Sequence, residues 1–136
     1  MSGVAIIRAL LIAHKPVTDI VFASNIRAGI LPQGSALPAV SVSSVSEIEE
    51  ITTARNMPVK MIRERVQVTV YTSGDYPKMK ALMKATSLGK GVFTGTVAGF
   101  RVRSVLPWSV GPEIPPADDN IFEQSRDFMV TFVEAN

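Results

Sequence analysis

The chain has 136 residues, of which 46% are hydrophobic and 19% charged; this suits one ordinary folded domain and excludes general disorder. The 14 Lys and Arg against 12 Asp and Glu leave a formal charge of only +2, which by itself creates no field for binding polyanions, so nucleic-acid binding is not the default expectation. Cysteine is absent, which excludes disulfides, thiolate metal sites and a cysteine nucleophile.

The N-terminal segment predicts an amphipathic helix from about Gly3 to Ala13, with Ser2 as its cap. Four apolar residues repeat at the spacing of one helical face: Ile6, Ile7, Leu10 and Leu11. The run is interrupted by Arg8 and falls short of the ~20 apolar residues that span a bilayer. It also lacks the marks of a signal peptide, so we expect a product made in the cytoplasm and without a membrane partner.

The next part of the chain predicts two strands and a long loop. A short strand is expected around Ile26, followed by a segment rich in Gly and Pro. Val40 and Val42 then alternate with polar residues, and the phase shifts toward Val45, which is typical of a bulge or a strand end. Residues 47–62 are charged and have no consistent period, so we predict a long loop there. Loops of that length in compact domains are functional or disordered.

Residues 63–71, RERVQVTVY, predict a strand that is buried on one face only. The apolar face carries Val66, Val68 and Val70, and the other face carries Arg65, Gln67, Thr69 and Tyr71. The polar face can meet water, a ligand, a nucleic acid or another copy of the chain.

A helix follows, with Asp75 as its N-cap, Pro77 in its first turn and Gly89 as its C-terminal stop. The residues predicted to face the core are Met79, Leu82, Met83 and Thr86. This helix and the N-terminal one are the two main helices that the sequence predicts.

The last third predicts a hairpin and a final strand. The hairpin turns near Ala98-Gly99, with Phe100 and Val102 on one face and Arg101 and Arg103 on the other; the final strand points Phe128, Val130 and Phe132 inward. The predicted fold class is α+β: a single domain, residues 1–136, with a mostly antiparallel β-sheet packed against two main α-helices and a long loop between strands.

No constellation for catalysis, cofactor binding or metal binding stands out. His14, the one histidine, lies at the end of the first predicted helix and suits a capping or solvent role; one imidazole makes a zinc site improbable. The adjacent carboxylates Glu49-Glu50 and Asp118-Asp119 lack a calcium-loop pattern. We therefore predict a protein that is not an enzyme and has no cofactor. Trp108 fits a surface anchor or the core equally well.

The order of these motifs resembles that of phage tail-terminator and tail-completion proteins, small virion proteins of long-tailed phages and prophages. The resemblance rests on the N-terminal helix, GILPQGSALPAVSV leading into a strand, RERVQVTVY, the helix opened by DYPKMKAL and the terminal strand RDFMVTF. It covers nearly the whole chain, but in layout rather than in a catalytic signature.

This resemblance implies a ring, commonly a hexamer, on the head-proximal end of the tail tube. Such a ring stops tube polymerisation and presents a surface to the head-completion proteins, while DNA passes through it without sequence-specific binding. The implied partners are further copies of the chain, the tail tube protein and the head-completion or connector protein. The implied location is the virion tail, after synthesis in the host bacterium.

Each subunit of a ring needs two different contact patches, one for each neighbour. We expect the polar face of strand 63–71 and the hairpin arginines to meet acidic residues of a neighbour, with apolar contacts supplying affinity. The loop 47–62 would order on docking to the tube. The candidate interface residues are Glu47, Glu49, Glu50, Ile51, Arg55, Met57, Met61, Arg63, Arg65, Gln67, Tyr71, Arg101, Arg103, Trp108, Asp118 and Asp119.

Two alternatives remain open at this point. One is a head-completion or connector protein that binds the portal side. The other is an α+β domain that binds an anion or small molecule, with Arg101 and Arg103 holding the anion.

Overall fold

The computed structural model describes residues 2–32, 34, 36–50, 59–88, 94–116 and 120–135. The elements in these ranges are α1 (Ser2–Ala13), α2 (Lys15–Thr18), a 3₁₀ turn (Ala23–Asn25), β1 (Ile26–Ala28), β2 (Ala39–Glu50), β3 (Val59–Ser73), α3 (Tyr76–Ala85), β4 (Gly95–Val97), β5 (Phe100–Val110) and β6 (Ile121–Ala135). No helix in these ranges is long and apolar enough to cross a membrane.

The strands form one six-stranded sheet in the order β1-β2-β3-β6-β5-β4. Neighbouring strands are antiparallel except β1 and β2, which pair in parallel because residues 29–38 carry the chain back along β1 before β2 begins. The predicted α+β class is confirmed, although the sheet is mixed rather than antiparallel throughout. The two long helices α1 and α3 pack on it, and α2 is a single turn.

The prediction of a loop at residues 47–62 is wrong at both ends of that range. Residues 47–50 belong to β2 and residues 59–62 to β3, and Glu49 pairs with Ile62 in an antiparallel ladder. The shift in phase near Val45 is a bulge, where the register changes between Ser44 and Ser46. Beyond the bulge β2 is exposed on both faces, so pairing with β3 holds it extended without the alternation that burial imposes.

Helix α1 packs its apolar face on the sheet, where Ile6, Ile7 and Leu11 are fully buried. Its first turn lies over Glu64, a buried carboxylate on β3 that accepts a hydrogen bond from the N–H of Gly3 at 3.1 Å. A carboxylate is favourable there because unpaired N–H groups and the helix dipole make the N-terminus positive. A Cβ at Gly3 would lie 2.7 Å from the Glu64 Cδ, so this close approach requires glycine.

Helix α3 begins as predicted. The Asp75 Oδ1 accepts a hydrogen bond from the N–H of Lys78 at 3.1 Å. The helix ends at Ala85; the proposed stop at Gly89 lies outside the described residues. Arg126 of β6 donates from Nη2 to the Met83 carbonyl at 2.6 Å, and burial lowers the pKa of this guanidinium. A cation at the C-terminal end of α3 ties the helix to the sheet.

The remaining core predictions are confirmed. Met79, Leu82, Met83 and Thr86 are buried, as are Val102, Phe128, Val130 and Phe132. The β4–β5 hairpin turns at Ala98 and Gly99, which both have positive φ, at 51° and 82°. Positive φ at both central residues is typical of the two-residue turn that matches the twist of a hairpin.

Candidate assembly surface

The sheet has an open face on the side away from α1 and α3. On β3 this face carries the side chains that alternate with the buried valines, and Gln67 and Tyr71 lie there half-buried. Thr69 is buried, and its Oγ1 lies 2.8 Å from the Ser125 Oγ on β6. The open face is therefore partly occupied by contacts within the chain, and it is not simply a surface wetted by water.

Arg65 is engaged on this face by an ion pair. Its Nη2 and Nε lie 2.6 and 2.7 Å from the Asp127 Oδ2, and the Ser109 hydroxyl lies 3.4 Å from the same oxygen. Asp127 is only 6% exposed, whereas the Arg65 side chain is 36% exposed, so the pair joins a nearly buried carboxylate to a guanidinium that still reaches water. Reversing Arg65 to Glu would place a carboxylate against a nearly buried one, so we expect that change to destabilise the monomer.

Residues 29–32, 34 and 37 form a wall along one part of the open face. A groove of about 420 Å³ lies between this wall, with Ile30 and Leu37, and a floor that includes Ser41, Gln67 and Tyr71. Gln67 and Tyr71 thus line a groove next to this wall, and they lie apart from Arg101 and Arg103 at the other side of the sheet.

The acidic candidates lie on one edge of the sheet. β1 covers β2 only as far as Val42, so residues 43–50 pair with β3 on one side and form the outer edge of β2 on the other, where the described ranges contain no strand. Glu47 and Glu49 are exposed there, and Glu49 accepts a hydrogen bond from the Lys60 Nζ at 2.9 Å. That contact raises the pKa of Lys60.

The basic candidates lie at the opposite side of the sheet. β4 covers only Phe100–Val102 of β5, so residues 103–110 pair with β6 on one side and form the outer edge of β5 on the other, where the described residues include no strand. Arg101 and Arg103 are exposed, and neither has an ion pair within the described part of the chain. Through Val133 and Met61, the register places Arg101 on the same side of the sheet as Arg65, with β6 between them.

Trp108 lies on the outer edge of β5 and is 57% exposed, so it is not a core residue. Leu106 and Val110 on the same edge are also exposed. Large apolar side chains grouped on one edge mark a protein contact more often than scattered ones do. The structure thus favours the anchor interpretation of Trp108.

Two further exposed apolar residues escaped the sequence analysis. Phe22 is 80% and Ile30 95% exposed. Ile30 lies in the Gly- and Pro-rich segment, and Phe22 immediately precedes the 3₁₀ turn. A large apolar side chain inside a segment rich in turn residues is the signal that could have found Ile30.

The other predicted interface residues are placed as follows. Met61 is half-buried and Arg63 exposed on β3, and the backbone of Glu50 ends β2. Ile51, Arg55, Met57, Asp118 and Asp119 lie outside the described residues.

No protein-family model and no curated protein sequence matches this chain. Among solved structures, the fold is similar to that of a chain in the virion of a native gene transfer agent particle. The TM-score is 0.67, the sequences are 12% identical, and the match covers 98% of this chain and 97% of that chain. At this identity the likeness establishes a shared fold over the full length of both chains.

Proposed function

We propose that this protein is a structural virion component that forms a ring on the head-proximal end of a phage tail tube. The ring ends tube polymerisation and provides the surface that joins tail to head. The observation that carries the proposal is the likeness to a virion chain, which covers 98% of this chain and 97% of that chain. The motif order of the sequence, which resembles tail terminators, points to the same role.

The exposed side chains support an assembly role for this fold. Phe22, Ile30 and Trp108 are large, apolar and more than half exposed, and they occur at different places on the molecule. A subunit in a ring that also touches a tube and a head protein needs several separate contact areas, whereas a monomer gains nothing from such exposure. The partners are thus other copies of the chain, the tail tube protein and a head-completion or connector protein.

Electron microscopy of particles made without this gene tests the proposal. Filled heads beside detached tails, especially tails of abnormal length, are the expected result. Intact virions would overturn the proposal. Heads that have lost their DNA beside tails of normal length would also overturn it, since they would assign the protein to the head side of the joint.

A purified system tests the same role without the phage. Added protein should stop the elongation of tail tubes and appear as a ring at one end of each tube. The variant Trp108→Ala should keep the melting temperature and bind tubes or neighbours more weakly, while Tyr71→Phe, a conservative change inside the groove, serves as its control. Unchanged elongation with folded wild-type protein would contradict the terminator role.

A further inference from the structure

The sheet presents two uncovered edges of equal length. The outer edge of β2, residues 43–50, and the outer edge of β5, residues 103–110, are both eight residues long. They lie on opposite sides of the sheet, with β3 and β6 between them. Edge strands expose unpaired N–H and C=O groups, and proteins usually cover them or guard them with charge.

The two edges also lie at the same height in the sheet, that is, at the same position along the direction of the strands. Following the paired residues through β3 and β6, Ser43 is level with Ser109, and Glu49 is level with Val102. A rotation about an axis parallel to the strands preserves height, so it brings the outer edge of β2 on one copy to the outer edge of β5 on the next.

The upper ends of the two edges carry opposite charges. Glu49 is exposed on the helix side of β2, level with Val102 of β5, and Glu47 is exposed two residues before it. Arg101 and Arg103 flank Val102 and are exposed on the open side of β5. If charge served only to prevent pairing, the same sign on both edges would achieve this. Opposite signs instead repel two like edges and attract two unlike ones, which selects head-to-tail contact over a symmetric dimer.

Both edges add apolar surface to this charge pattern. On β2, Val45 is 48% and Ile48 59% exposed; on β5, Leu106, Trp108 and Val110 are exposed. Surface ion pairs alone contribute little, so these apolar side chains would supply most of the affinity and the charges the choice of partner.

We propose that the outer edge of β2 on one copy docks along the outer edge of β5 on the next copy, with Ile48 and Leu106 meeting on the open side of the sheet and the acidic end of β2 level with the basic end of β5. This inference rests on the proposed ring and identifies the surface that closes it. The contact lies between edges, whereas the sequence analysis expected the open face of the sheet to make it.

Cross-linking of single-cysteine variants tests this contact, because the chain has no cysteine of its own. Ser46→Cys marks the β2 edge and Ser104→Cys the β5 edge without changing any charge. A short bismaleimide should link the two variants when they are mixed, and neither variant to itself. Ser73→Cys, at the far end of β3, is the matched control and should link to neither. Links between like variants, or no link in the mixture, would overturn the proposal.

Charge reversal provides the second test. Arg103→Glu and Glu49→Lys should each weaken self-association about threefold per contact, since attraction between the two edges becomes repulsion, and mixing the two variants should restore part of it. Lys15→Glu makes the same charge change on an exposed residue of α2 and should have no effect. Equal association of all three variants would overturn the proposal.

The two proposals can fail separately. Measurements are made both on tail tubes and on concentrated protein without tubes. Rings on tubes without the Ser46–Ser104 link would overturn the edge contact and leave the terminator role standing. If the link forms in tube-free protein but the protein does not stop tube growth, the edge contact is supported and the terminator role is overturned.

Discussion

The two faces of β3 differ in what determines their residues. On the helix side Ile62, Val66 and Val68 are fully buried, while on the open side Gln67 and Tyr71 are half-buried and Arg63 is exposed. Burial restricts the first face to residues that fill space, whereas the second face tolerates any residue that finds a polar partner or water. One strand therefore has a face whose failure unfolds the chain and a face whose changes bear mainly on partners.

The largest expected effect on stability comes from truncating a buried side chain on the helix side of the sheet. Phe132 is fully buried and makes an edge-to-face contact with Phe100 at a centroid distance of 5.8 Å. Phe132→Ala should lower the free energy of unfolding by about 3–5 kcal/mol, because it leaves a cavity. Chemical denaturation measures this. Phe22→Ala removes the same side chain from an exposed position and should change stability by less than about 0.5 kcal/mol. Similar losses for both would contradict the comparison.

A second test concerns the one carboxylate on the buried side. Gly3→Ala should destabilise the protein by about 1–3 kcal/mol, because the added Cβ meets the Glu64 carboxylate and a packed interior resists extra volume. In a Glu64→Ala background the same change at Gly3 should cost nothing. The double-mutant cycle is measured by denaturation, and an equal cost in both backgrounds would show that close approach to Glu64 is not the cause.

On the open side, we expect a substitution to lower the free energy of unfolding only where the original side chain forms an ion pair within the chain. Arg65→Met leaves the nearly buried Asp127 without its cation and should cost about 1–2 kcal/mol of unfolding free energy. Arg101→Met, at an exposed position without a described ion pair, should cost about 0.5 kcal/mol or less. Thermal unfolding compares the two variants, and equal melting temperatures would remove the distinction.

The smallest effect is expected at Glu113, beyond the sheet. Its carboxylate contacts the Lys80 ammonium and accepts a hydrogen bond from the Tyr76 hydroxyl at 2.7 Å, and these contacts hold the pKa of Glu113 below its ordinary value of 4.5. A lowered pKa in the folded state means that the stabilisation is present above the unfolded pKa and disappears as the pH falls through the folded one.

Glu113→Gln should therefore lower the melting temperature slightly at pH 7, and the difference from wild type should vanish in acid well below pH 4.5. Calorimetry at the two pH values measures it. Glu47→Gln controls for the loss of an exposed carboxylate that has no described ion pair. A difference that persists unchanged in acid would exclude the carboxylate as its source.

Several elements could be predicted from sequence because their signals are local. The Asp75 cap, the turn at Ala98-Gly99 and the bulge near Val45 each depend on residues within a few positions of one another. The ends of β2 and β3 could not be predicted in this way. Residues 47–50 have no alternation, and they are extended because β3 supplies their hydrogen bonds.

The candidate interface was less predictable than the fold. The sequence identified Glu47 and Arg103 as candidates but assigned Glu47 to a loop and did not show that Arg103 lies on an outer edge. Strand order decides which charges lie on an edge, and strand order depends on pairings between distant segments. The exposure of Trp108 likewise follows from its place on an outer edge, which no local pattern reveals.

The sequence by itself determined the α+β class, the buried faces of α1, α3 and the central strands, and the absence of cysteine chemistry, because periodicity and composition act over short distances. Only the tertiary structure decided that Arg65 pairs with Asp127, 62 residues away, that Glu64 lies beneath the start of α1, and that opposite charges occupy opposite edges of the sheet. The physical reason is that such pairings depend on the register of strands far apart in the chain, which is set by the packing of the whole sheet.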